Sequence, residues 1–253
     1  MNFRTITPED LPAVRRLWTE AFDETEEQSA PFLRDVFPLC TGWCGEEDGQ
    51  LAAMAFSVPA QAVQGGKSWP VRYVYAVATA EAFRGRGAAT GVMQALERDA
   101  REQGAAALIL LPAEPGLFPF YDRMGFRVWS WASEVSVGAM AGEPVRRVTP
   151  EEYLRIRETY APEEAYIRPM PEVAALCAAL YAWDGGCCAV EDGAFGPLCC
   201  ELLGSSRGLA AAAADYGIDR LPVTRCGGGY PYAMAKPLTE DFPASGRFSF
   251  GMD

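Results

Sequence analysis

A short segment that alternates arginine with glycine is the part of the sequence best suited to hold an anion. It reads Arg84, Gly85, Arg86, Gly87, Ala88, Ala89 and Thr90. The glycines would let the backbone approach a ligand without an intervening Cβ atom, and the arginines could donate charge-assisted hydrogen bonds to phosphate. A plain turn with two solvated arginines would have the same composition, so the flanking elements decide the interpretation.

The segment joins a predicted strand to a predicted helix. Residues 73–79 form an apolar run rich in β-branched and aromatic types, which predicts a buried strand. From Ala88 onward, apolar residues recur at helical spacing, and Gly104 is placed where the helix would end. The first turn of a helix carries unpaired N–H groups and partial positive charge, so this arrangement favours phosphate at the helix start.

The spacing excludes the two commonest phosphate-binding loops. No Lys-Ser/Thr pair follows the second glycine, as a P-loop requires, and the Gly-x-Gly-x-x-Gly dinucleotide fingerprint with its later acidic residue is also absent. Residues 84–89 instead resemble the pyrophosphate loop of the GNAT superfamily of N-acetyltransferases, whose pattern is Arg/Gln-x-x-Gly-x-Gly/Ala.

A second motif lies further along the chain in the order that this superfamily has. After a predicted strand at residues 106–111, the residues Tyr121, Arg123, Gly125 and Phe126 resemble the superfamily signature Tyr-x-Lys/Arg-x-Gly-Phe. Two ordered motifs are more specific than either alone. The resemblance covers residues 3–137.

The resemblance implies acetyl transfer from acetyl-CoA, as co-substrate, to an amine of a small molecule or peptide, by direct attack on the thioester. Residues 84–90 would hold the pyrophosphate. Val77, Ala78 and Thr79 would pair through their backbone with the pantetheine arm, in a slot opened where the following strand splays away. A backbone N–H near Val77 or Ala78 would stabilise the oxyanion.

The resemblance also implies a general acid, whereas the general base stays open. Tyr121 matches the family position that protonates the departing thiolate, although a tyrosine there could equally pack or bind CoA. The sequence has no histidine, so the base would be a carboxylate or a relayed water. Glu114, just past the predicted strand, is one candidate or else a solvated loop acid. The carboxylate of Asp253 is another, if the tail docks.

Aromatic and acidic residues of the first helices could receive a cationic amine, or they could form core and a solvated turn. The aromatic set is Trp18, Phe22, Phe32, Phe37 and Trp43, and the acidic set is Asp23, Glu24, Glu26 and Glu27. The formal net charge of −12 argues against nucleic acid and anionic membranes as main partners, and no membrane partner is expected. It favours cationic small molecules or basic peptides, although an acidic balance is also typical of soluble proteins in general.

Composition predicts a cytoplasmic protein without a metal site, which we expect to be a monomer or homodimer. Hydrophobic residues make up 49% of the 253 residues, enough for a sizeable core. The eight cysteines lack metal-ligand spacing and indicate small buried hydrophobes in a reducing compartment. No signal peptide and no membrane-spanning run are evident in the sequence.

The second half of the chain repeats features of the first. Residues 146–153 echo residues 4–11, and Asp192-Gly193 echoes the hairpin signal Asp48-Gly49 at nearly the same offset. The expected class is α/β (α+β mixed): a GNAT fold with a central mixed, mostly antiparallel sheet flanked by helices, duplicated as a second degenerate GNAT-like half.

The expected domains are an acetyltransferase domain at residues 1–140 and a degenerate domain at residues 141–253. The tail, residues 247–253, is a candidate for the last strand of the first sheet. Tandem GNAT folds also occur in aminoglycoside acetyltransferases of the enhanced-intracellular-survival type. The alternative functions are a non-catalytic acyl-CoA-binding regulator and an aminoacyl or other acyl transferase.

Overall fold

The structure is a computed structural model that describes residues 1–140, 144–193 and 196–250. The α-helices are α1 (Leu11–Phe22), α2 (Glu26–Pro31), α3 (Ala88–Glu102), α4 (Phe118–Arg123), α5 (Pro150–Thr159), α6 (Pro171–Ala174) and α7 (Leu209–Tyr216). The strands are β1 (Asn2–Thr5), β2 (Thr41–Glu47), β3 (Gln50–Gln64), β4 (Lys67–Thr79), β5 (Ala107–Leu110), β6 (Arg127–Val128), β7 (Trp131–Gly138), β8 (Arg146–Arg147), β9 (Tyr166–Arg168), β10 (Ala179–Trp183), β11 (Gly186–Gly193), β12 (Gly196–Gly204), β13 (Arg220–Cys226), β14 (Tyr230–Pro231) and β15 (Met234–Pro237).

The chain forms two compact units, and it crosses from one to the other more than once. Unit 1 consists of Met1–Gln61, Trp69–Arg127 and Met234–Phe242. Unit 2 consists of Ala62–Ser68, Val128–Ala233 and Pro243–Asp253. These units differ from a division at residue 140, because β7 pairs with β13 in unit 2 and β15 pairs with β5 in unit 1.

The sheet of unit 1 is mixed, as the sequence predicts, and its strands run in the order β1-β2-β3-β4-β5-β15-β6. The β2–β3 hairpin turns at Asp48 and Gly49, whose φ angles of 53° and 73° are those of the predicted tight turn. The neighbours β4 and β5 are parallel, which requires the crossover that α3 provides.

In unit 1, β4 continues beyond the end of its parallel partner β5. The pairing joins Val71–Tyr73 to Ala107–Ile109, and β5 ends at Leu110, whereas β4 continues to Thr79. We call this part of β4, which extends past β5, the unit 1 fork, and it lies where the resemblance places a slot for a thioester.

A late segment of the chain completes the sheet of unit 1. Strand β15 pairs antiparallel with β5, Met234 lying opposite Leu110, and Lys236 forms an ion pair of 2.5 Å with Glu97 of α3. The sequence makes residues 247–253 a candidate for this position. The structure differs, since Arg247–Phe250 lie in unit 2 and residues 251–253 lie outside the described residues. Short antiparallel strands pair through the backbone, so the sequence of each candidate decides little.

Truncating a side chain of β15 should test whether this strand completes the core. Met234 is 2% exposed and packs in the same cluster as Leu108 and Tyr121. We expect Met234→Ala to lower the free energy of unfolding by about 2–5 kcal/mol, measured by urea denaturation. Met140→Ala is the matched control, because Met140 is 67% exposed and its truncation should change stability little. Equal small losses in the two variants would contradict the placement of β15.

Unit 2 has a second mixed sheet, in the order β14-β7-β13-β12-β11-β10-β8. Its helix α5 begins as the repeat predicts: Thr149 caps it by accepting the Glu152 N–H at 3.3 Å, and Pro150 follows. The parallel neighbours β12 and β13 pair at a single position, Cys199 with Val223. We call the divergence beyond this pair the unit 2 fork.

The cysteines of unit 2 mostly lie in its core, as small hydrophobes would. Cys187, Cys188, Cys199 and Cys200 are buried and unbridged. Burial raises the pKa of Cys187 to about 12, which keeps it a neutral thiol. Within the described ranges, no helix is both long and apolar enough to cross a membrane.

Candidate active site

The glycine-rich segment forms an open turn at the start of α3. Gly85 and Gly87 adopt φ angles of +75° and +80°, and a Cβ atom at either would meet nothing within 4 Å. Both residues are exposed. The left-handed conformation favours glycine, and the empty space above each Cα leaves room for a ligand to approach the backbone.

The backbone of the first helical turn offers donors beside this space. The first intrahelical bond runs from the Gly91 N–H to the Gly87 carbonyl at 3.0 Å. The N–H groups of Ala88, Ala89 and Thr90 precede it, so helix geometry gives them no acceptor within α3. Together with the positive end of the helix dipole they can bind an anion.

The two arginines of the turn are exposed and held only weakly. The Arg84 Nε donates to the Thr79 carbonyl at 3.4 Å, and the Arg86 Nη1 lies 3.5 Å from a Glu47 carboxylate oxygen. The Arg86 guanidinium also lies over the Phe83 ring, 5.4 Å from its centroid. Exposed ion pairs contribute little, so either arginine could exchange these contacts for a phosphate.

Strand β4 changes its conformation at Ala76 beside the unit 1 fork. Ala76 has a φ of 48°, although it is not glycine, and is 8% exposed. Beyond it, Ala80 donates its N–H to the Ala52 carbonyl of β3 at 2.9 Å. N–H groups of alternate strand residues point to the same edge, so those of Val77 and Thr79 face the fork, while that of Ala78 faces β3.

Replacing Ala76 should show whether this backbone geometry matters. A β-branched residue is strongly disfavoured at positive φ, at a cost of about 1–3 kcal/mol. We therefore expect Ala76→Val to flatten the strand, turn the Val77 N–H and lower kcat in an acetyl-transfer assay. Ala76→Gly is the matched control, since glycine adopts this φ freely and should keep the activity. Full activity in Ala76→Val would show that the conformation is dispensable.

Tyr121 lies in α4, beneath a shell of apolar residues. It is 6% exposed and packs edge-on against Phe120 and Phe126, with ring centroids 5.1 and 5.8 Å away. Its hydroxyl makes no hydrogen bond to any residue that the structure describes. Burial raises the pKa of Tyr121 to about 12, so the phenol stays protonated at neutral pH. An unengaged, protonated hydroxyl suits a proton donor.

Glu114 lies in the loop after β5 and is exposed. Its carbonyl accepts the Leu117 N–H at 3.0 Å, which starts the short turn that leads into α4. Its side chain forms no ion pair with the described residues. This loop position is compatible with both sequence interpretations, the base and the solvated acid. Asp253, the other carboxylate considered, lies outside the described residues.

Of the five aromatic side chains considered for an acceptor pocket, Trp18 and Phe32 are buried, and Phe22, Phe37 and Trp43 are half-buried. Trp18 is 1% exposed and packs against Phe22, Phe32 and Phe56. Its Nε1 donates to a Glu24 carboxylate oxygen at 2.8 Å. Trp43 packs in a different cluster, which contains Val77 and Phe83. The rings of Trp18, Phe32 and Phe56 pack against one another as core aromatics do, whereas an acceptor pocket that uses the half-buried rings stays a prediction.

The sequence interpretation missed two residues that shape the site. Ala76 gave no signal, because the strand pattern around it is regular. Gly91 lies inside α3, where a Cβ atom would come within 1.9 Å of the Phe3 ring. A glycine within a helical pattern often marks such close packing, so Gly91 could have been found from the sequence.

The corresponding turn in unit 2 has no open glycine pair. A Cβ atom at Gly208, just before α7, would lie 2.2 Å from the Trp183 indole, and the Trp183 Nε1 donates to the Ser205 carbonyl at 3.0 Å. At Gly204, a Cβ would lie 2.3 Å from the Gly185 carbonyl oxygen. Side chain and backbone occupy the space that is open around Gly85 and Gly87.

Solved structures share this architecture over almost the whole chain. A probable N-acyltransferase of unknown function from Enterococcus faecalis aligns with a TM-score of 0.74 at 16% identity, over 94% of this chain and 72% of its own. A putative acetyltransferase from Pyrococcus horikoshii aligns with a TM-score of 0.66 at 14% identity, over 99% and 95%. Eis1 from Mycobacterium abscessus aligns with a TM-score of 0.64 at 13% identity, over 94% and 74%. At these identities the likeness shows a shared fold.

A family model provides the sequence-level evidence. No curated protein matches the chain. The model of the acetyltransferase (GNAT) domain matches residues 2–129, half of the chain and most of unit 1. That range contains the open glycine turn, the fork and Tyr121, and the chain therefore belongs to the GNAT acetyltransferase family.

Proposed function

We propose that the protein transfers an acetyl group from acetyl-CoA to an amine, and that unit 1 is the catalytic half. The observation that carries the proposal is the unit 1 fork, which opens beside the donor-rich start of α3. The edge of β4 presents the N–H groups of Val77 and Thr79, and the open turn at Gly85 and Gly87 has room for phosphate. Together they suit a ligand that has an extended amide chain and a pyrophosphate.

The turn fits the pyrophosphate by the shape of its backbone. The open space above Gly85 and Gly87 and the unpaired N–H groups of Ala88, Ala89 and Thr90 form a cradle that a Cβ atom would obstruct. Arg84 and Arg86 would add charge-assisted hydrogen bonds. Val77 and Thr79 would align the pantetheine arm along the fork through their backbone, whereas Ala78, between them, faces β3 and would contribute through its position in the strand.

When bound, acetyl-CoA supplies the activated acyl group. The Val77 N–H would stabilise the negative charge that develops on the acyl oxygen, because it faces the fork. The Tyr121 hydroxyl would protonate the departing sulfur, and its high pKa keeps that proton available. Glu114, or water in its place, would accept the proton of the attacking amine from its exposed loop position.

We propose that unit 2 is a degenerate half that binds no acetyl-CoA of its own. The supporting observation is the Trp183 indole, which fills the space next to Gly208 where a pyrophosphate would need open backbone. The acceptor is expected to be a cationic amine, since the chain carries a net charge of −12.

The proposal is tested by an acetylation assay on the whole chain. Purified protein is incubated with acetyl-CoA and a panel of cationic amines and basic peptides, and both thiol release and the mass of the acetylated amine are measured. Amine-dependent thiol release with a matching mass increase is the expected result. Acetyl-CoA binding without turnover of any amine would favour the non-catalytic regulator, and absence of binding would favour an acyl transferase with another donor.

A further inference from the structure

Unit 2 contains a cavity of about 650 Å³ at its own fork. Its walls include residues of the two diverging strands, among them Glu201 and Gly204 of β12 and Thr224 of β13. The loop after α5, with Ala161, also lines it. The equivalent feature of unit 1 is the unit 1 fork, which is the slot proposed for the thioester. A cavity of this size is in the range that holds small organic ligands.

A buried ion pair forms part of the wall of this cavity. Glu201, 1% exposed, accepts hydrogen bonds from the Arg157 Nε and Nη2 at 2.8 and 2.7 Å, from the Tyr153 hydroxyl at 2.9 Å and from the Ser249 hydroxyl. These donors saturate the carboxylate. Glu201 is therefore a structural anchor, with no capacity left to bind a ligand.

Arg157 retains an unused donor group. Its side chain is 1% exposed and lies between the rings of Tyr166 and Phe250, at 5.1 and 5.7 Å. Nε and Nη2 are engaged by Glu201 and the Ile167 carbonyl, but Nη1 is buried and has no hydrogen-bond partner. The nearest recorded carboxylate oxygen, on Glu158, is 3.9 Å away, beyond hydrogen-bond distance.

A buried guanidinium nitrogen without an acceptor is uncommon and calls for an explanation. Glu158 Oε1, which also accepts from the Arg168 Nε at 2.9 Å, lies too far from Nη1, at 3.9 Å, to be its acceptor in this structure. Arg157 is one of the residues that line the cavity, so an anionic oxygen that reaches Nη1 from there would accept a charge-assisted hydrogen bond, which is stronger than a neutral one. Arg225 and Arg247 also line the cavity, as do Glu163 and Glu164, and Arg247 is paired with Glu164 at 3.2 Å. Arg225 is therefore the further cation that would offset the added negative charge.

We propose that the unit 2 cavity binds a small organic anion whose carboxylate or phosphate oxygen accepts from Arg157 Nη1. The ligand is smaller than CoA, because Trp183 blocks the turn that would hold a pyrophosphate. The degenerate half thus keeps the fork of its fold as a ligand site distinct from that of unit 1. This inference does not rest on the function proposed for unit 1.

Calorimetric titration of the whole chain tests the site. The probes are acetate, succinate and benzoate as carboxylates, glycerol 3-phosphate as an organic phosphate, and inorganic phosphate. Ala161→Trp should fill the cavity from a half-exposed loop position, and Ala214→Trp, on an exposed position of α7 that does not line the cavity, is the matched control.

The proposal is supported if an organic probe binds with submillimolar affinity to the wild type. Ala161→Trp should then weaken this binding at least tenfold, and Ala214→Trp should leave it unchanged. Binding of the carboxylate probes or of glycerol 3-phosphate would identify the anionic group of the ligand as a carboxylate or a phosphate. Arg157→Lys keeps the charge, removes Nη1 and should also weaken binding, provided circular dichroism shows it folded. No binding by any organic probe would overturn the proposal, and so would binding that Ala161→Trp leaves unchanged. Titration with acetyl-CoA in the same variants reports on unit 1 separately.

Discussion

Gly87→Glu is expected to abolish measurable acetyl-CoA binding while the protein stays folded. The new carboxylate would project into the open space beside the start of α3, where the pyrophosphate is proposed to lie. Like charges brought together in a binding site cost several kcal/mol, which corresponds to roughly a 100-fold or greater loss of affinity. Calorimetric titration with acetyl-CoA measures the effect directly.

The opposite end of the same helix provides the matched control. Gly104 also has a positive φ, +73°, and a Cβ atom there would likewise meet nothing within 4 Å. A non-glycine residue at either position costs about 1–2 kcal/mol in the left-handed conformation. A glutamate near the end of a helix is further disfavoured by the dipole, so Gly104→Glu should be no more stable than Gly87→Glu. Unchanged acetyl-CoA affinity in Gly87→Glu would move the phosphate site away from this turn.

Local sequence signals explain why the turn and its helix could be predicted. Gly85, Gly87 and Gly104 all adopt positive φ angles, which glycine populates far more readily than other residues. The Asp48-Gly49 hairpin was likewise readable from residues adjacent in the chain. The resemblance to the family then gave roles to residues far apart in sequence, such as Tyr121.

Features that depend on distant partners could not be predicted in the same way. Strand β15 completes the sheet of unit 1, yet nothing within Met234–Pro237 shows which strand it joins, because pairing depends on both partners and on the chain between them. The positive φ of Ala76 arises in a regular strand pattern. The sequence also leaves open whether the aromatic residues between Trp18 and Trp43 surround a cation or pack in the core, because the direction in which such rings face depends on the rest of the fold.

Tyr121→Phe is expected to lower kcat by about 100- to 10,000-fold and to leave acetyl-CoA affinity nearly unchanged. The ring keeps its contacts with Phe120 and Phe126, so only the proton donor is lost. Steady-state kinetics and calorimetry separate the two effects. Tyr216→Phe is the control, because it removes a tyrosine hydroxyl in unit 2 that donates to Asp192. This variant should keep the wild-type kcat. An unchanged kcat in Tyr121→Phe would favour the non-catalytic alternative or a donor other than this tyrosine.

The pH dependence of kcat distinguishes a buried proton donor from an exposed one. An ordinary tyrosine loses its proton near pH 10, whereas burial raises the pKa of Tyr121 to about 12. A raised pKa preserves the protonated, donating form as pH rises and loses it only when pH passes through the higher value. We therefore expect the kcat of the wild type and that of Tyr121→Phe to change with pH in the same way between pH 9 and about 10.5. A decline centred near pH 10 that disappears in Tyr121→Phe would show that the hydroxyl titrates as though exposed, and that the apolar residues around Tyr121 move apart during turnover.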